Sequence, residues 1–139
     1  MPVLLHRTVG FEATHRFFVP AWSAEQNRTR FGWTTDEPGH PHSYRCTVTV
    51  RAMAATDVVM DLALLDRVLT DEVVTPLQGK HINLDVPEFA YGKRLPTCEA
   101  LAQYLFQRME GRLPADVVLS RVLVAEDATL AGEWADSTD

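Results

Sequence analysis

The amino-acid sequence predicts an α+β fold: a four-stranded antiparallel sheet with two helices on one face, in the order ββααββ. Three observations predict it. Two early segments alternate apolar and polar residues with the period of a half-buried strand. Two later segments repeat apolar residues at helical spacing. Two strand-like runs close the chain, so strands and helices are grouped, which favours an antiparallel sheet over alternating crossover units. The 139 residues, 46% of them apolar, suffice for one domain over 1–139 with a real core and fall short of two ordinary ones.

In residues 7–17, Val9, Phe11, Ala13, His15 and Phe17 share one face and Thr8, Glu12, Thr14 and Arg16 the other. The following stretch to Gly39, rich in Pro, Gly, Ser, Asn and Thr, reads as a long connection. In the second strand Tyr44, Cys46, Val48 and Val50 oppose Arg45, Thr47, Thr49 and Arg51, and the same parity carried backwards puts His42 and His40 inward. Asp61 is a good N-cap for a helix carrying Leu62, Leu65, Leu69 and Val73, which Pro76 should stop. A second irregular stretch leads to Thr97, the cap of a helix with Leu101, Leu105 and Met109 that ends at Gly111. Residues 117–126 read as a buried strand, and "TLAGEW" as the short strand that returns from it.

Charge narrows the function. A net charge of −6, with 13 basic residues scattered among 19 acidic ones, disfavours a nucleic-acid or anionic-membrane surface and leaves a small molecule or a protein as partner. Only Cys46 and Cys98 occur, the first residues lack a secretory h-region, and no apolar run approaches the ~20 residues of a membrane span. The expectation is a cytoplasmic, reduced protein.

His15, His40 and His42 share the inward parity of two strands that can be neighbours, which directs three imidazoles towards one point. Three histidines leave a tetrahedral metal one open position, the arrangement of catalytic zinc. An isolated His-x-His is more often a pair of ordinary histidines bonded to backbone, so the pattern gains its meaning from its surroundings.

Those surroundings are "FEATHRF", "NRTRFG", "GHPHSY", "VVMDLALL", "NLDVPEF", "PTCEALAQYLF" and "VLVAED", in this order between about Val9 and about Trp134. Together they resemble the 6-pyruvoyl-tetrahydropterin synthase family, which includes the 6-carboxy-tetrahydropterin synthases of queuosine biosynthesis. The resemblance implies the T-fold, with trimers joining their sheets into a barrel, two trimers stacking into a homohexamer, and sites between subunits. It also implies zinc on His15, His40 and His42, polarising the side-chain hydroxyls of 7,8-dihydroneopterin triphosphate as a Lewis acid.

The family pattern breaks at the acid–base residues. The place of the family's cysteine is taken by Thr34, whose hydroxyl is too weak an acid to stand in for a thiolate. His81 matches the family's histidine, but the aspartate beside it becomes Lys80, which reverses the local charge and should depress the basicity of a nearby imidazole. Asp85 and Cys98 are the residues with which such a chain would compensate.

On the ligand side, Glu126 matches the glutamate taken to grip the 2-amino and N3 edge of the pterin, and Thr97 and Glu99 match the pocket wall. Trp22, Phe31 and Trp33 are left open between stacking on a ligand and packing the first loop. The expected function is binding of a pterin or purine-like ring beside a three-histidine zinc site, with the family's lyase reaction absent or weak. The alternatives are an active lyase with relocated acid–base residues and a non-catalytic pterin-binding protein.

Overall fold

The computed structural model describes residues 2–136. Its centre is an antiparallel pair, β1 (Leu4–His15) and β2 (His40–Ala52), in register from Leu4↔Arg51 to His15↔His40. β2 also pairs antiparallel with β4 (Val117–Ala125), through an irregularity at Thr49/Val50, and β4 pairs with β5 (Ala131–Ala135). A fifth strand, β3 (Lys80–His81), runs parallel to β1 at its outer edge, giving the order β3-β1-β2-β4-β5. The sheet thus has one strand more than the four expected, because a two-residue strand is too short to show a period.

The expected alternation is present. Phe11, Ala13, Tyr44, Cys46, Val48, Val50, Val122 and Val124 are buried on one face, and Glu12, Ser43 and Arg45 are exposed. Against that apolar face pack Leu65, Val68 and Leu69 of α2 (Leu62–Leu69) and Leu101, Ala102 and Leu105 of α5 (Cys98–Met109). Burying each such leucine contributes about 1.5–3 kcal/mol. Asp61 and Thr97 cap these helices as expected, accepting from the backbone N–H groups of Ala63 and Ala100.

Pro76 does not stop the first helix where the sequence places its end. The chain widens into a π turn at Thr70–Val74, in which the Thr75 N–H reaches back to the Thr70 carbonyl, and runs on through α3 (Thr75–Leu77). Proline has no N–H to offer the Glu72 carbonyl, and Arg108 Nε donates to that oxygen at 3.2 Å.

Both irregular stretches also hold short helices. The first contains α1 (Ala24–Phe31), opened by a reciprocal capping box between Ser23 and Gln26. Its sequence, "AEQNRTRF", has almost no apolar residues, so periodicity does not reveal it. The second contains α4 (Ile82–Asp85) and a 3₁₀ turn at Pro87–Phe89. Among the described residues no helix is long and apolar enough to cross a membrane.

Gly132 of β5 lies directly against the start of α5: a Cβ there would sit 2.5 Å from the Glu99 nitrogen and 2.9 Å from the Cys98 carbonyl carbon. Backbone on both sides cannot yield. Gly132→Ala is therefore expected to cost about 1–3 kcal/mol, read as a lowered Tm, whereas Gly111→Ala, with open space around it, should leave Tm in place.

Candidate metal centre and adjoining pocket

The β1–β2 register assembles the site. His15 ends β1 directly opposite His40, and His42 lies opposite Ala13, two residues along, so all three side chains emerge on the core face of the sheet. Each ring offers a nitrogen, and these atoms lie within 4.8 Å of one another. The rings stand edge-on, with centroids 4.5 Å (His15–His40), 4.9 Å (His15–His42) and 5.0 Å (His40–His42) apart.

Gly39 makes the approach of β2 possible. It holds φ at 124°, and a Cβ would meet the His15 carbonyl oxygen at 2.6 Å. On the other side, Asn83 Oδ1 accepts from the Arg16 N–H at 2.8 Å and anchors the chain just past His15.

His15 is only 1% exposed. Burial, and then the neighbouring His40 and His42, push its pKa down to about 3 against the pull of the Pro96 carbonyl. His40 is lowered too, by burial and then by His42. Neutral imidazoles with lone pairs are what a metal requires. His15 Nε2, His42 Nε2 and His40 Nδ1 are buried without a protein hydrogen-bond partner, which is costly for a polar atom. The donor set and these orphaned nitrogens fit a divalent cation such as zinc.

Two polar groups complete the cluster. Tyr44 Oη lies 2.7 Å from His15 Nδ1, and burial, followed by the charge of Glu126, raises the phenol above its ordinary pKa. Glu126 follows the Arg45↔Ala125 pair at the end of β4 and is 8% exposed. Its Oε2 lies 2.9 Å from His42 Nε2, without the alignment of a hydrogen bond, and 3.6 Å from His15 Nε2. Burial raises the Glu126 carboxyl, His42 opposes that, and Asp127 and Glu99 reinforce it. Glu99 is exposed in the first turn of α5, and Thr97 precedes it as the cap.

The remaining residues singled out in the sequence are distributed around this cluster. Thr34 Oγ1 donates to the Phe31 carbonyl at 2.6 Å. Lys80 is exposed on β3. His81 Nε2 lies 2.6 Å from the Pro38 carbonyl; since a carbonyl only accepts, Nε2 carries the proton and Nδ1, buried and unpartnered, keeps the lone pair. Asp85 accepts from the His81 backbone N–H at 2.8 Å through its carboxylate. Cys98 is buried, and desolvation pushes its thiol up to about 11, away from thiolate at neutral pH.

The aromatics divide. Trp22 stacks on Phe31, which also meets Phe17, so these pack the first loop. Trp33, 62% exposed, stands 4.8 Å from His40 at the edge of the cluster. Sequence reasoning missed Gly39, Asn83 and the hydroxyl of Tyr44; the only signal was the Pro38-Gly39 turn pair before His40.

The depressed pKa of His15 predicts acid sensitivity. Below the ordinary value near 6.5 the unfolded chain takes up a proton that the folded ring refuses until about pH 3, so stability falls as pH drops through that window. One such group contributes at most about 1.4 kcal/mol per pH unit. Denaturant titrations of the metal-free protein should show this slope, and His15→Gln should flatten it.

Comparisons with known proteins agree with the fold. The family described as 6-pyruvoyl tetrahydropterin synthase matches residues 4–136. The 6-pyruvoyl tetrahydrobiopterin synthase of Homo sapiens is 34% identical over 114 residues, covering 81% of this chain and 77% of its own. That of Pongo abelii is 33% identical over 123 residues, covering 87% and 83%. The structure of Caenorhabditis elegans 6-pyruvoyl tetrahydropterin synthase superposes with a TM-score of 0.87 at 26% identity, over 99% of this chain and 97% of that one. With its five-stranded sheet, helices and three-histidine cluster, this chain belongs to the 6-pyruvoyl tetrahydropterin synthase family.

Proposed function

We propose that this protein binds a pterin or similar purine-like heterocycle beside a zinc ion held by His15, His40 and His42, and that it performs the family's triphosphate-eliminating lyase reaction weakly or not at all. The observation that carries the binding half is the buried Glu126 carboxylate lying against the histidine cluster. A carboxylate accepts two parallel N–H bonds, as the 2-amino and N3 edge of a pterin would offer, and Thr97 and Glu99 at the start of α5 would flank that edge. When bound, zinc would supply a Lewis acid with an open position for a substrate hydroxyl.

The chemistry at the acid–base positions supports the second half. Thr34 spends its proton on the Phe31 carbonyl. Asp85 accepts from the backbone N–H of His81, a contact that does not replace a carboxylate beside the imidazole, where the family's aspartate would stand in place of Lys80. His81 Nδ1 keeps a lone pair for moving a proton, which leaves a relocated-base lyase as the competing reading. Cys98, protonated and buried, gives that reading little help, and a non-catalytic pterin-binding protein is its opposite limit.

The family's hexamer is part of the proposal. β3 and β5 are the outer strands of an open sheet, and closure with further copies would cover such edges. A cytoplasmic setting suits two free, buried thiols.

The test is incubation of the zinc-reconstituted protein with 7,8-dihydroneopterin triphosphate, with dihydropterin binding measured in parallel. The expected result is detectable binding with the triphosphate ester left essentially intact; turnover comparable to an ordinary family member would refute the reading. Restoring the family's chemistry with Thr34→Cys and Lys80→Asp together should raise turnover roughly 10-fold or more, since acid–base groups contribute about 10²–10⁴. Glu126→Gln should weaken pterin binding about 10-fold or more.

A further inference from the structure

We infer that Tyr44 is a positioning residue that sets the tautomer of His15 and thereby the affinity of the three-histidine centre for a divalent cation; the inference rests on the metal-binding reading above. His15 is 1% exposed, so neither ring nitrogen can turn to water. For Nε2 to present a lone pair to a cation, the ring proton must sit on Nδ1, and a buried N–H needs an acceptor. Tyr44 Oη, 2.7 Å from Nδ1, meets that need.

The phenol is held for this. Tyr44 is 1% exposed, pairs with Phe11 across the strands, and stacks on its ring with centroids 4.9 Å apart and planes 10° from parallel. The ring therefore has little freedom, while the hydroxyl can still rotate. A hydroxyl both donates and accepts. With a cation on Nε2, Nδ1–H donates to Oη; without one, Oη–H can donate to Nδ1 and the proton moves to Nε2, near Glu126 Oε2 at 3.6 Å. The same hydrogen bond survives both states, which neither a carbonyl nor a carboxylate in that position would allow. The competing acceptor is the Pro96 carbonyl, which also acts on the ring.

Tyr44→Phe keeps the stack and removes the oxygen. Zinc affinity measured by chelator competition should fall about 10–100-fold, the usual effect of losing a partner behind a metal-bound histidine. Phe11→Leu, which loosens the stack and spares the hydroxyl, should lower affinity less than Tyr44→Phe does; an equal loss would assign the effect to packing and overturn the inference. Nitrogen-15 spectra of the zinc-loaded wild type should show His15 protonated on Nδ1 and metallated through Nε2, and this holds as a test even if Tyr44→Phe does not fold. Unchanged affinity in Tyr44→Phe would overturn the inference and point to Pro96 as the acceptor, and metallation through Nδ1 would overturn it outright. A wild-type chain that takes up no zinc would instead overturn the metal-binding reading on which it rests.

Discussion

The antiparallel register of β1 and β2 is the constraint on which the rest depends. His15↔His40 and Ala13↔His42 are cross-strand pairs, and strand side chains repeat every two residues. A slip of one residue would send His40 and His42 to the exposed side of the sheet and expose Tyr44, Cys46, Val48 and Val50 in the same movement. Core packing therefore enforces the site: the apolar residues that need burial hold the histidines in place.

Burial then sets the chemistry. An imidazole that is 1% exposed beside two others cannot afford a charge, and its pKa falls to about 3. The same desolvation that lowers His15 and His40 keeps Tyr44 a hydroxyl, raises the Glu126 carboxyl and holds Cys98 as a thiol. Lone pairs, a rotatable hydroxyl and an acceptor-rich carboxylate are left facing one small volume. Such a set suits holding a cation and a ligand, as proposed. If Thr34 and Lys80 stand at the family's acid–base positions, as proposed, neither supplies the family's chemistry there: Thr34 is bonded to the Phe31 carbonyl and Lys80 is exposed.

Where the sequence carries a period, it is legible. The alternation in β1 and β2, the leucine spacing of α2 and α5, the caps Asp61 and Thr97, and the shared parity of His15, His40 and His42 all follow from residues read in order. What escapes reading depends on pairs distant in sequence. β3 exists because the Gly79 N–H finds the Glu12 carbonyl and Lys80 falls beside Ala13. Glu126 lands beside His42 through a β2–β4 register interrupted at Thr49/Val50. Tyr44 looks like a core residue until its hydroxyl is seen against His15. Polar α1 is hidden from periodicity, although Ser23 and Gln26 mark its start. The seven motifs add what no period could, since they tie to a family an arrangement that alone would suit ordinary histidines.

In the proposed metal centre three imidazoles, and no thiol, hold the cation. X-ray absorption at the zinc edge on the reconstituted protein tests it most directly. The account predicts one zinc per chain with three imidazole nitrogens at about 2.0–2.1 Å and no sulfur. A sulfur scatterer at about 2.3 Å, which would bring in Cys98, or fewer than three imidazoles would contradict it.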